Sequence, residues 1–353
     1  MSKRGIDNGP GTAGQLTTGG EATVADANRP VPETPTQLSR RSWLAAAKRS
    51  GTEFGNDVLQ DRAAALTYYG VLAIFPALLA LVSLLGLIGR SATQPLITNL
   101  AQGLPSSVRQ IFLTAVRHLQ HSHASAGVLA VVGIVTGLWS ASSYIAAFMR
   151  ASNAIYKVPE GRPFWKTTPI RIGVTVAMLA MLIASGIIVV VTGGLARHAG
   201  QLLGISSVAV TVWNIAKWPV LLIFVSLMLA LLYWASPNAR QGFRWLSPGA
   251  VVAVVGWLAA SGLFSLYLAN FGHYNKVYGS IAAVIIFLIW LWITNSAILF
   301  GAEFNAQLQR GQAMAAGIPP DTDPFAELRD TTKLRKKARR KAARRKAARR
   351  ADA

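Results

Sequence analysis

Long apolar runs alternate with short polar ones through most of this chain, and six of the runs exceed the length of a globular helix. They fall at about 63–89, 126–149, 172–195, 209–234, 246–270 and 279–304. Each is longer than the ~20 residues an α-helix needs to cross the hydrocarbon layer of a bilayer. Stretches such as MLAMLIASGIIVVV show no alternation, unlike the strands of a membrane barrel. A helix also pairs its backbone groups within its own segment, as lipid requires. The pattern predicts an all-α membrane protein, a bundle of six transmembrane helices.

Two weaker patterns flank the first span. From Ser42, the residues Leu44, Ala47, Gly51, Phe54 and Val58 fall near one helical face, with Lys48, Arg49, Glu53 and Asp57 elsewhere. This suits an N-terminal interfacial helix, or equally an amphipathic helix packed on protein. After Pro105, Val108, Ile111, Phe112, Ala115, Val116 and Leu119 keep the helical period. They predict a short amphipathic outer-loop helix over about 105–121.

Composition changes the picture at the ends. Of 353 residues 52% are hydrophobic, 14% are charged and none is cysteine, so disulfide and thiol chemistry are excluded. Residues 1–40 are polar and lack an apolar h-region, and are expected to be disordered. Residues 311–353 form a basic tail, and twelve Lys and Arg against one acid in 333–353 carry about half of the net charge of +21. The domain proper is therefore set at 41–310. Arg150, Lys157, Arg162, Lys166 and Arg171 crowd one linker, and Arg240 and Arg244 another on the same side. The positive-inside rule places that side, with both termini, in the cytoplasm. The tail is expected to bind anionic lipid head groups through 333–350, and nucleic acid non-specifically. Deleting 329–353 is expected to leave the six-span fold intact.

Candidate chemistry is sparse. Glu303, in GAEFNAQL, is the most informative charge, and Arg150, Asn153, Asn295 and Asn305 fall nearby in the topology. These five residues are the candidate polar cluster. A carboxylate at a membrane boundary is either functional or half of a structural ion pair, for which Arg150 is the first partner. NFGHYNKVYGS interrupts the apolar text before the last span. Its Asn270, Gly272, Tyr274, Asn275, Tyr278 and Gly279 read as a turn with interfacial anchors, or as a substrate gate. Pro76 and Pro219 are expected to kink their helices. Lys217 reads as a snorkelling lysine. His118, His121 and His123 do not share a helical face, so no metal is expected, and no cofactor. No P-loop, HExxH, GxSxG or clustered carboxylate pair occurs, so the chain is not expected to be an enzyme. LWSASSYI at 138–145 matches LWITNSAI at 291–298 in Leu, Trp, Ser and Ile, without fitting a simple three-plus-three duplication.

These motifs carry a resemblance. ALTYYGVLAIFPALLAL, LWSASSYIAAFMRASNAIYKV, RPFWK, SPNAR, FRWLSPGA, LFSLYLANFGHYNKVYGSIAAV and WLWITNSAILFGAEFNAQL, in that order over about residues 40–310, resemble the YihY / virulence factor BrkB family. The resemblance implies a bacterial inner-membrane protein with six helices. Family members have carried the label ribonuclease BN, an activity these residues do not support. His273 and Lys276 depart from the small and polar residues usual in that loop, which argues against either as a ligand. The expected role is transport or translocation of an amphipathic or lipid-like substrate; the alternative is a non-transporting scaffold for envelope proteins.

Overall fold

The computed structural model describes residues 38–88, 126–190, 207–243, 247–270 and 280–351. Among them lie the helices α1 (Arg40–Asn56), α2 (Leu59–Ile88), α3 (Ala126–Ile155), α4 (Phe164–Val190), α5 (Ser207–Ala235), α6 (Pro248–Asn270), α7 (Ser280–Ala315) and α8 (Thr332–Ala351). No strand occurs among the described residues, only an isolated antiparallel bridge between Ala239 and Leu328. Within these helices, four stretches are long and apolar enough to cross a membrane: Phe164–Gly186, Thr211–Ala235, Pro248–Ala269 and Val284–Ala315. The helices continue through Pro76 and Pro219, and α4 also contains Pro169.

Local chemistry sets the helix ends. Ser39 caps α1 by accepting from Ser42 N at 3.2 Å. Ser247 accepts from Ala250 N at 3.3 Å, and Pro248 takes the first helical position of α6, where its missing N–H is harmless. At the end of α3, Val158 N donates to Asn153 O and Lys157 N to Ala154 O, both at 2.9 Å. Lys157 there takes the left-handed conformation, φ 52°, which usually belongs to glycine. The end of α7 repeats this arrangement with Gly317 at φ 90°.

The helices α2 to α7 make a closed ring of contacts. Each packs on the next in chain order, and α7 returns to α2. α1 lies along α7, with Trp43 against Phe304 and Phe54 against Phe300, each at 5.8 Å between ring centroids. Ala46 and Ser50 are buried in that contact, so one face of α1 is covered by protein.

Most of the described burial in the ring gathers at one end, with Ala282 near the start of α7 as an exception. The core gathers Leu59, Ala63 and Leu66 at the start of α2, Phe148 and Ile155 at the end of α3, and Leu232 at the end of α5. Ala250 and Ala253 join from the start of α6, and Leu299, Ala302 and Ala306 from the end of α7. We call this the closed end. Beyond Thr175 on α4, beyond Val254 on α6 and before Leu229 on α5, no described side chain is buried.

The tail boundary expected at 311 is corrected. α7 runs to Ala315, and the segment after it folds back onto the closed end, where Phe325 and Ala326 join the core. Arg310 lies 5.3 Å from the Phe325 ring, and Phe325 stacks on Tyr156 at 6.1 Å. Only α8 leaves the body, as a helix whose described side chains are almost all exposed.

Candidate functional site

Three connections meet at the closed end: residues 156–163 after α3, 236–243 after α5, and 316–331 after α7. Their backbones need partners that no helix supplies, and a few long side chains provide them. Arg162, only 2% exposed, grips Glu160 with Nε at 2.8 Å and Nη2 at 2.7 Å. The same guanidinium donates to Ser236 O at 2.8 Å and Ala235 O at 3.3 Å, capping the last carbonyls of α5. Burial alone would raise the Glu160 carboxyl, but the hydrogen bonds from Arg162 outweigh it and hold it below its usual range.

Asn238 sits at the centre of this knot, with no exposure. Its N–H donates to Asn153 Oδ1 at 2.7 Å. Its amide donates to Pro159 O at 3.1 Å and Asp330 O at 2.9 Å, and its Oδ1 accepts from Asp330 N at 3.1 Å. Asn153 Nδ2 completes the circuit to Glu160 at 2.9 Å. On the rim, Lys157 pairs with Asp57 and with Glu53 at 3.3 Å. Burial works against its charge, but the two carboxylates raise the Lys157 ammonium above its ordinary value.

Beside the knot is a cleft of about 240 Å³ between α5, α6 and α7, lined by Tyr233, Arg240, Gln241, Ser247, Asn305 and Gln309 among others. Asn305 Oδ1 accepts from Gly249 N at 2.8 Å, and its Nδ2 donates to Ser247 Oγ at 2.5 Å, so α7 holds the first turn of α6. The helices cross there through Gly249 and Gly301, and a Cβ on either would collide with the other's carbonyl oxygen. Gln241 accepts from the Tyr156 hydroxyl at 3.0 Å and donates to Tyr233 O at 2.7 Å.

Further along α7 the polar groups are sealed. Glu303 has no exposure; its Oε1 accepts from Gln307 at 2.8 Å while Oε2 has no partner. Arg49 of α1 reaches Gln307 at 3.1 Å. Asn295, two helical turns away, accepts from the Tyr144 hydroxyl at 2.7 Å and donates to Thr67 at 3.1 Å. Against this layer, between α2 and α7, runs an apolar groove of about 410 Å³ lined by Ala64, Thr67, Tyr68, Val71, Leu288, Ile289 and Trp292.

The five expected cluster residues therefore do not converge. Asn153 belongs to the knot, Asn305 to the cleft, and Asn295 and Glu303 to separate points on α7. Arg150 is exposed and lies 5.8 Å from the Tyr69 ring. The expected Arg150–Glu303 ion pair is not formed: Arg150 stays on the surface of α3 towards α2, and Gln307, one turn along from Glu303, reaches the carboxylate first. Lys217 is 3.5 Å from Asn214 Oδ1 and 5.5 Å from the Trp218 ring. Asn270 closes α6. Gly272, Tyr274, Asn275, Tyr278 and Gly279 lie outside the described residues, as do the 105–121 segment and His118, His121 and His123.

Sequence patterning does not single out Arg162, Glu160 and Asn238 as site residues, although RPFWK and SPNAR contain two of them. The signal available was their setting: arginine and asparagine beside Pro, Gly and Ser in linkers too short to be solvated throughout.

A family model described as virulence factor BrkB matches residues 51–324. Among curated proteins, the putative ribonuclease-like protein YfkH of Bacillus subtilis is 30% identical over 75% of this chain and 94% of its own length. A UPF0761 membrane protein of Chromohalobacter salexigens is 30% identical over 77% of the chain and 66% of its own length. One from Alkalilimnicola ehrlichii is 31% identical over 77% of the chain and 61% of its own length. No solved structure matches.

Proposed function

The chain belongs to the virulence factor BrkB family of membrane proteins, and on that footing we propose that it moves an amphipathic, lipid-like substrate across a bacterial inner membrane. In this reading α2 to α7 all cross the bilayer, and the closed end, with both termini, faces the cytoplasm. The reading includes no enzymatic step; the ribonuclease-like name of the Bacillus relative is not extended to this chain.

The observation that carries it is the lack of burial along three of the helices. Apolar surfaces gain little by meeting one another in lipid, so helix stretches left unpacked can part around a lipid-like molecule at little cost. Here the stretches of α4, α5 and α6 away from the closed end bury no described side chain on any face. The apolar groove between α2 and α7, backed by the polar Thr67–Asn295–Tyr144 layer, suits a molecule with a tail and a head. Purified protein in vesicles should accelerate flipping of labelled phospholipid between leaflets. Absence of protein-dependent flux for lipids and for small anions alike would sink the proposal.

The scaffold reading rests on a different observation, the hydrogen bonding of Asn295 to Tyr144 and Thr67, which ties α7 to α3 and α2. The chain has no cysteine, so single substitutions such as Ser261→Cys and Gly256→Cys can be probed with a membrane-impermeant maleimide. Labelling of both favours a water-filled path; protection of both favours the scaffold.

A further inference from the structure

Where α3 ends beside the start of α4, a further cavity of about 200 Å³ opens, lined by Met149, Arg150, Phe164, Thr167, Thr168 and Arg171 among others. Two of these are arginines without a carboxylate. Neither Arg150 nor Arg171 makes an ion pair with any described residue. Each is instead held against a ring, Arg150 at 5.8 Å from Tyr69 and Arg171 at 5.0 Å from Trp139. Glu160 also lines the cavity, but both its oxygens are taken by Arg162 and Asn153. That acid is neutralised from within the protein, and the cavity keeps two positive charges.

The position of Arg171 says what kind of anion would answer them. It lies inside the apolar stretch Phe164–Gly186, seven residues and so about 10 Å along the helix from its first residue. Its Nε is sealed from solvent and has no hydrogen-bond partner. A charged side chain at such depth needs an opposite charge or a route to the interface. Phe164 and Trp165, 74% and 63% exposed, mark the level of that interface. Planar guanidinium groups suit phosphate oxygens, and basic pockets between membrane helices take phosphate head groups.

We propose that this cavity binds the phosphate of an anionic phospholipid, with Arg150 and Arg171 as its charged ligands and the hydroxyl of Thr168 as a further contact. This goes beyond the translocation reading and does not depend on it, since a lipid held here permanently would satisfy the same groups.

The test uses the full chain in nanodiscs or mild detergent at about 1 M salt, where the Debye length is about 3 Å and the exposed tail is screened far more than a recessed pocket. Retained lipid is counted by native mass spectrometry. Wild type should hold phosphatidylglycerol and release phosphatidylcholine, and Arg150→Gln with Arg171→Gln should lower phosphatidylglycerol retention at least tenfold. Equal retention of the two lipids by wild type overturns the proposal, even if the double variant fails to fold. So does unchanged retention by a folded double variant. Free glycerol phosphate competing as well as phosphatidylglycerol would overturn the lipid assignment in favour of a soluble phosphate. Lost flux with intact lipid binding would count against translocation alone.

Discussion

The two ends of the ring solve the same problem, holding helices together, by different means. At the closed end the helices share a core, and their connections are tied by side chains from positions 73 to 92 residues apart. Along the rest of α4, α5 and α6 the described side chains are mostly apolar and none is buried. In lipid such surfaces gain little by meeting, because hydrocarbon tails are as apolar as leucine. Specificity must then come from polar groups and close backbone contact, and these are concentrated at the closed end. Apolar length makes four of the helices candidates to cross a membrane, and the knot ties the connections that set which helix stands beside which.

The largest effect should come from Arg162. Replacing Arg162 by Leu leaves Glu160 without its cation and strands the carbonyls of Ala235 and Ser236. Removing one member of a buried pair typically destabilises by about 3–5 kcal/mol. Thermal unfolding in detergent should show the full loss, and a change under 1 kcal/mol would mean the knot is decoration. Next comes the helix crossing. Gly301→Val drives a side chain into Gly249 O, the Tyr233 hydroxyl and Ala253 Cβ. Overpacking of this kind costs about 1–3 kcal/mol. The same substitution at Gly256, which has nothing within 4 Å, should be close to neutral.

A pH series gives a finer reading of the knot. Because the Glu160 carboxyl is held below its usual range, its contribution is complete above the ordinary glutamate pKa of about 4.3. It is lost as pH falls through the lower folded-state value. The stability gap between wild type and Glu160→Gln should therefore be open at pH 7 and close in the acid range, below about pH 4. A gap that persists unchanged at pH 3 would mean that Glu160 is not charged in the fold. Smaller again is Arg150→Gln. Since Arg150 does not meet Glu303, the lipid-free protein loses only its contact with Tyr69, worth about 0.5–1 kcal/mol at an exposed site. A loss as large as that at Arg162 would restore the ion pair that the structure denies.

What could be read from the sequence divides along the same line. Apolar length located the helices well: runs at about 126–149 and 246–270 correspond to α3 and α6. It failed where a helix continues into polar text. α4 starts at Phe164, eight residues before the expected 172, because FWKTTPIR is helical despite its polarity. α7 likewise runs eleven residues past 304. The site was harder, because Asn153, Asn295, Glu303 and Asn305 were grouped by depth along the helices, which sequence gives, and not by helical face and neighbour, which it does not. Glu303 and Gln307 were a legible pair, four residues apart on one helix. The contacts of Asn238 with Pro159 and Asp330 were not, since nothing local marks partners so far apart.

The smallest effect on the fold should come from the tail, and its boundary is what the structure sharpens. Deleting 329–353 would remove Asp330, whose backbone bonds hold Asn238, and Lys333, whose N–H donates to Gly161 O at 2.9 Å. Deleting from Leu334 onward removes the remainder of α8, whose described side chains are exposed except for the half-buried Leu334. The longer deletion should lower the melting temperature and the shorter one should leave it unchanged. If both are silent, the segment after α7 is not part of the knot. The shorter deletion should still lose one property. Near an anionic leaflet each Lys or Arg contributes on the order of 1 kcal/mol within about one Debye length. The eleven basic residues from Arg335 to Arg350 would thus hold α8 on such a surface, even though the exposed helix puts only part of its charge against the lipid at once. A peptide of residues 333–350 should bind vesicles containing phosphatidylglycerol and release them as salt rises. Equal binding to phosphatidylcholine vesicles would show that charge is not what holds it.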